Sequence, residues 1–314
     1  VNEAELRAYE DRVRHQAAPD LRAVLDNVHK AVTLVYTAVA GDTRTPLDPQ
    51  AADTIRRQFA AALDRIREET EYGRIRQYLR DAARRAITAG ADSTGLDVTV
   101  SPVTPLDVRW ALKDLTAGLR ADLADAARLA RHGKLETYND MVAMATAARK
   151  AANRLDRASS WIVHRAHNEG VNRAIDKAAS QGADVASIWV PEAGACILCM
   201  SLAGSIAVPG EPFRPVVDVA DESARPKVPL WSPPAHSFCR CKAEPYAGPV
   251  HSLKRTDRPT ILRRAAQLAI ASGRAAGSEP ARVRAADRLL EVGEALLLPA
   301  RARKAVARKR FRRG

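Results

Sequence analysis

Cys196-Ile-Leu-Cys199, followed after 36 intervening residues by His236-Ser-Phe-Cys239-Arg-Cys241, holds all four cysteines of the chain. A Cys-x-x-Cys turn sets two sulfurs on one side of a tight knuckle, close enough to share one metal ion. Zinc takes four soft or borderline ligands in a tetrahedron, and this stretch offers five, four thiolates and one imidazole. One is therefore surplus, either Cys241 or His236. A Cys-x-Cys pair can also bind one ion, but less comfortably than the two-residue spacing. Other readings stay open at this point: thiols as small buried hydrophobes, as disulfides in an oxidising compartment, or Cys239 with His236 as nucleophile and base. No orienting acid or oxyanion motif accompanies that last pair.

Working outward, Val185 to Val190 is the clearest strand pattern in the chain and leads directly to Cys196. Gly204-Ser-Ile-Ala-Val208 suggests a second short strand, ended by Pro209-Gly210. From there to Trp231 the sequence is rich in proline and poor in pattern. A module of about 60 residues with so little apolar periodicity needs a staple. That is the case for a structural zinc. A catalytic ion would keep one position for water and gather acid–base groups around it.

A helix precedes the module. His164 and His167, three apart, could face one ion from it, but they lack the Glu of a His-Glu-x-x-His motif. His167 reads as an ordinary polar position. In order come Arg165-x-x-Asn168-x-Gly170 on this helix, a strand with Trp189, Cys196-x-x-Cys199-x4-Gly204, and Pro233-Pro234-x-His236-x-x-Cys239-Arg240-Cys241. This order resembles the Mu F-like minor head proteins of tailed bacteriophages, also called head morphogenesis proteins. The resemblance covers about Trp161 to Tyr246, roughly a quarter of the chain. Members often carry Pro-Asn where this chain has Ser237-Phe238, and the acidic turn Asp218–Glu222 has no counterpart we can map. The resemblance implies that Arg165, Asn168, Gly170, Trp189 and Gly204 are structural supports, with Arg165 and Asn168 tying the helix to the cysteine module. It also implies a minor capsid protein, made in the host cytoplasm and residing inside the virion head. Its partners would be the portal protein, the major capsid or scaffold protein, and the packaged double-stranded DNA.

The formal net charge of +13 is unevenly placed. From residue 251 onward 17 Lys and Arg face 5 Asp and Glu, whereas the preceding 250 residues hold 33 against 32. Between Arg301 and Arg313, eight of thirteen residues are basic: Arg301, Arg303, Lys304, Arg308, Lys309, Arg310, Arg312 and Arg313. Basic terminal blocks commonly serve nucleic acid, so these eight are the candidate DNA-binding residues; a solubilising tail is the plainer alternative. Arginine outnumbers lysine 40 to 10, which a GC-rich genome would also produce.

Elsewhere the pattern is helical. Pro19-Asp20 opens a stripe through Leu21, Val24, Leu25, Val28, Val32 and Val35, ended by Gly41 and the turn Pro46–Pro49. Ile55, Phe59, Leu63 and Ile66 mark a second helix. Ile75, Tyr78, Leu79, Ala82 and Ile87 mark a third, stopping near Gly90. The third helix's arginines (Arg74, Arg76, Arg80, Arg84, Arg85) read as a solvated face paired with Glu69, Glu71 and Asp81. Gly95 to Val108 reads as a linker with one short strand. Helix resumes near Leu106–Ala130 and again from about Glu136 to Ser180, where Met141, Met144, Ala148, Ala151, Leu155, Ala158 and Ile162 form a seam. Gly182 caps it. Beyond Pro249, Ile261–Ile270 and Val283–Leu298 are short amphipathic pieces.

The expected fold is mainly α: an elongated helical body, a small α/β zinc-knuckle-like module and a basic C-terminal arm, helical or disordered. Along the chain this gives a helical region at 1–92, a linker at 93–108, a second helical region at 109–184, the Cys/His module at 185–250 and the arm at 251–314. No run of 18 apolar residues occurs, so no membrane span is expected. The first residues lack signal-peptide features. No Ser–His–Asp, His-Asn-His or paired-carboxylate constellation is present, so no enzymatic activity is expected. The alternative function is a zinc-dependent DNA-binding regulator, sequence-specific or not.

Overall fold

Steps of three and four residues organise most of the chain. The computed structural model describes residues 3–23, 26, 27, 30, 48–133, 136–219, 226, 228–236, 239–247 and 257–291. Outside the described residues lie Val24, Leu25, Val28, Val32, Val35, Gly41, Pro46, the acidic Asp221 and Glu222, Ser237, Phe238, and all eight candidate DNA-binding residues from Arg301 to Arg313. Among the described residues the protein is mainly helical, with one small sheet and a Cys/His cluster. Among the described residues no helix is long and apolar enough to cross a membrane.

Two compact units form, and they are not consecutive segments. One takes residues 2–83 and 104–162; the other takes 84–103 and the chain from 163 onward. The first unit contains α1 (Glu3–Gln16), α2 (Pro49–Ile66), most of α3 (Glu69–Asp92), α4 (Leu106–His132) and the first half of α5 (Tyr138–Ser180). Each helix buries one stripe: Phe59, Leu63 and Ile66 on α2, Leu112, Leu115, Leu119 and Leu123 on α4, and Met141, Met144, Ala148, Ala151 and Leu155 on α5. The α5 stripe continues through Ser159 and Ile162, with Ala158 turned partly outward. Burying one Leu of such a stripe is worth about 1.5–3 kcal/mol.

The ends of α5 follow from local chemistry. The Thr137 N–H donates to the Asp140 carboxylate at 2.8 Å, and the Asp140 N–H returns to the Thr137 hydroxyl at 3.3 Å, a reciprocal cap. At the far end Gly182 takes φ +92° and the Ala183 N–H bonds the Ala178 carbonyl, closing the last turn. Among the charged contacts of this unit, Asp122 is buried and receives Arg154 at 2.6 Å and Lys150 at 3.2 Å. Both cations hold its carboxyl below the usual range, against burial, which would raise it. On α3, Arg74 pairs with Glu71 at 2.6 Å, as the surface reading expects.

α3 ends at Asp92, near Gly90 as expected. Gly90 is also a point of close approach in the second unit: a Cβ there would stand 2.0 Å from the His167 carbonyl oxygen of α5. Gly170 on α5 does the same in return, its absent Cβ falling 2.0 Å from the Ile87 carbonyl. Two glycines thus let α3 and α5 pack backbone to backbone.

The short strand expected between Gly95 and Val108 does not form; residues 95–105 are irregular and helix begins at Leu106. Leu96 and Val98 pack against Val171, Ile175 and Ala178 of α5, while basic side chains of the same helix satisfy the backbone. Arg173 donates to the Ser101 and Val103 carbonyls at 3.0 and 2.7 Å, and Lys177 to Thr99 at 2.8 Å. With carbonyls taken by side chains, no partner strand is needed.

The sheet has the order β2-β1-β3, antiparallel throughout. Its centre is β1 (Ala186–Val190), flanked by β2 (Ile206–Ala207) and β3 (Lys242–Tyr246). Between β1 and β2 lies the short α6 (Ile197–Ser201). After β3 come α7 (Arg258–Ala271) and α8 (Glu279–Glu291). These two helices are not a detached arm. Ala266, Ile270, Ala271, Ala281, Ala285 and Leu289 form one buried cluster with Ile197, Met200 and Val217 of the module. An alanine stripe buries little area per residue, but it lets two helices approach closely, and here it covers one side of the cysteine-bearing turn.

Candidate metal centre

The first knuckle is a helix start. Cys196 is the N-cap of α6, with extended backbone, and Cys199 sits one turn on, so both thiols face the same side. The C-terminal part of the chain pins this turn: the Ile197 N–H donates to the Ala276 carbonyl at 3.2 Å, and the Ala276 N–H to the Ala195 carbonyl at 3.0 Å. Gly204, at φ +72°, leaves room for the Pro259 carbonyl, 2.3 Å from where a Cβ would stand.

The second knuckle runs from His236 into β3, with the Cys239 N–H bonded to the His236 carbonyl at 3.1 Å. What holds it is Asn168, fully buried on α5. Its amide donates to the Cys241 carbonyl at 3.1 Å and to the His164 carbonyl at 2.9 Å, and its oxygen accepts from the Ala243 N–H at 2.7 Å. Trp189 and Ala243 are opposed across the sheet, and Trp189 uses its own backbone groups on Ser205 and Gly204 of the β2 side. In an antiparallel ladder the groups of Ala243 therefore point away from β1. Asn168 is their partner.

All five sequence candidates converge. Cys196 Sγ lies 3.0 Å from His236 Nε2; Cys199 Sγ lies 3.5 Å from the same nitrogen and 3.5 Å from Cys239 Sγ. Two overlapping groups of donors result, each with all its ligand atoms within 4.8 Å of one another: Cys196, Cys199 and His236, and Cys199, Cys239 and Cys241. Cys199 belongs to both. None of the four cysteines is in a disulfide. Three thiols are buried, and Trp189 and Phe213, edge to face at 5.3 Å between ring centres, pack beside them.

The thiols polarise one another. Hydrogen bonding from Cys199, aided by His236, lowers Cys196 to about 5 against the effect of burial. Bonds from Cys199 and Cys241 lower Cys239 to about 2. Cys199 is pushed far up by the bonds it makes to Cys196, Cys239 and Cys241, and by burial. At Cys241 the bond with Cys199 acts downward, but Cys239 and burial win and the thiol is raised. Two thiolates sharing a buried cluster with further sulfur and nitrogen donors can hold a metal ion.

The other supports divide. Arg165 bonds Glu169 at 2.9 Å, and Glu169 in turn bonds Arg173, so the pair stiffens α5. Gly170 faces α3 and not the cysteines. His167 is no ordinary polar position: it is buried, neither ring nitrogen has a hydrogen-bond partner, and burial, with His164 and Lys242 nearby, lowers it to about 3. Sequence reasoning missed Asn172, which donates to the Trp231 carbonyl at 3.0 Å and accepts from the Ser187 hydroxyl at 3.1 Å. Its signal was present, since it lies one helical turn after Asn168 on the same face.

No family model, curated protein or solved structure matches this chain.

Proposed function

We propose that this chain is a minor head protein of a tailed bacteriophage whose Cys/His cluster carries one structural zinc ion. The observation that carries the reading is the Asn168 clamp. The same helix that bears Arg165-x-x-Asn168 holds the second knuckle by the backbone on both sides of Lys242. The resemblance implies such a tie between helix and module.

The donor set fits zinc. A tetrahedral ion with bonds of about 2.3 Å to sulfur and about 2.0 Å to nitrogen sets its sulfurs about 3.7 Å apart, and sulfur and nitrogen about 3.5 Å apart. Cys199 to Cys239 and Cys199 to His236, both 3.5 Å, are close to these edges. Bound there, the ion would join the α6 turn to the start of β3 and so fasten a module built largely from loops. No acid–base group is needed for that role.

In this reading the protein works by binding and placement. Helical faces dock on the portal, the stapled module fixes their geometry, and the basic residues from Arg301 to Arg313 neutralise phosphates of the packaged genome. Co-expression with the portal protein of the same phage tests it: the chain should co-purify with portal, and a chain lacking the residues after Glu291 should do so as well. Failure of the full chain to join either portal or assembled heads overturns the assignment.

A further inference from the structure

The two overlapping donor groups differ in character. Cys199, Cys239 and Cys241 are each buried, at 1–3% exposure, on elements held from both sides by the sheet, α5 and the turn after α7. Cys196 and His236 are more open, Cys196 at the mouth of α6 and His236 at the start of its loop. Their ligand atoms are 3.0 Å apart. That is closer than about 3.5 Å, the separation of a sulfur and a nitrogen seated together on one tetrahedral zinc. A buried triad of cysteine ligands leaves one position on a four-coordinate ion, and Cys196 and His236, which form the other donor group with Cys199, are the two candidates for it.

Resting on the metal reading above, we propose that Cys199, Cys239 and Cys241 are the permanent ligands and that Cys196 and His236 are interchangeable occupants of the fourth position. The surplus donor is then not Cys241. One of the outer pair holds the ion while the other waits within hydrogen-bond reach of it. The ion's outward face is thus the face at which metal enters and leaves, by exchange of one outer ligand for the other without passing through a three-coordinate state. Loss of either outer donor alone is covered by its neighbour; loss of both opens the centre to water.

Cobalt(II) substitution reads this directly, because thiolate-to-cobalt charge transfer grows with the number of sulfurs. The visible bands also shift between a set of four sulfurs and a set of three sulfurs with one nitrogen. Full-length His236→Ala should keep one metal per chain and show the four-sulfur spectrum. Cys196→Ser should keep one metal and show the spectrum of three sulfurs and one nitrogen. Release to a chelator should quicken by less than about 10-fold in either. In the double variant it should quicken by more than about 100-fold, beyond what an outer-shell partner contributes. If Cys196→Ser or His236→Ala alone releases metal as fast as the double variant, the proposal is overturned. So it is if Cys241→Ala, with its far-ultraviolet circular dichroism intact, keeps its metal and an unaltered spectrum. Wild-type protein that binds neither zinc nor cobalt overturns the metal reading itself, an outcome separate from any pattern among the variants.

Discussion

Replacing Asn168 with Ala removes a side chain that is fully buried and makes three hydrogen bonds. The His164 carbonyl lies within α5, so its loss counts for little. The Cys241 carbonyl and the Ala243 N–H face away from the sheet and have Asn168 as their partner. Each buried polar group left unsatisfied costs about 1–3 kcal/mol, so with two such groups Asn168→Ala should lower stability by about 2–6 kcal/mol. Asn168→Asp should be no better, since a carboxylate keeps the acceptor for Ala243 but sets a second acceptor against the Cys241 carbonyl. Asn172→Ala, whose bond to the Trp231 carbonyl is exposed, provides the contrast and should cost under about 1 kcal/mol. Urea unfolding followed by circular dichroism measures all three, and chelator-induced metal release should quicken in the Asn168 variants but not in Asn172→Ala. A loss below about 0.5 kcal/mol for Asn168→Ala, within the range of an ordinary surface substitution, would refute the clamp.

Other consequences are as direct. Gly90→Ala and Gly170→Ala each force a Cβ to within 2.0 Å of a backbone carbonyl and should cost about 3 kcal/mol or more in thermal unfolding, whereas Gly73→Ala, with nothing within 4 Å, should gain about 0.5–1 kcal/mol. His167 is held neutral: its folded value near 3 lies below the unfolded 6.5, so the unfolded state takes up more protons and stability falls as pH drops from about 6.5 toward 3. Replacing His167 with Leu should flatten that part of the stability–pH curve; an unchanged curve would show that the residue is not the cause. Truncation after Pro249 should unfold the Cys/His module, because it strips Ala266, Ile270, Ala285 and Leu289 from Ile197 and Met200, while truncation after Glu291 should leave it intact by hydrogen exchange. The full chain should bind double-stranded DNA without sequence preference and with a log–log salt slope near about −5 if roughly six basic residues engage. Changing Arg308, Lys309, Arg310, Arg312 and Arg313 to Gln should flatten that slope for all sequences alike; base-specific loss would favour a regulator.

Much of the helical architecture was legible because apolar residues recurring three and four apart fall on one face of a helix, and such a face must be buried. Phe59, Leu63 and Ile66, or Met141 through Leu155, bury the faces their spacing marks. The cysteine module was legible from ligand spacing alone. What escaped depends on partners distant in sequence. Lys242-Ala-Glu-Pro-Tyr246 contains charges and a proline and does not read as a strand, yet it is an edge strand, where Pro245 is tolerated. Gly90 lies near the helix end its sequence signals, and only the approach of α5 reveals that it is also a contact point. The alanine faces of α7 and α8 were overshadowed by the basic charge around them, and their place in the core depends on Ile197 and Met200, some 60 to 90 residues earlier. Periodicity marks where a helix begins and ends; it does not say which helix it meets. The division into units, running through α3 and α5, follows from those meetings.

Zinc content and the response to chelator together test the account most directly. Purified protein should carry about one zinc per chain, and removing it should speed amide exchange in residues 186–246 and 258–291 while leaving the helices of the unit formed by 2–83 and 104–162 protected. Protein that contains no zinc, and whose exchange and unfolding are the same with and without chelator, would contradict it.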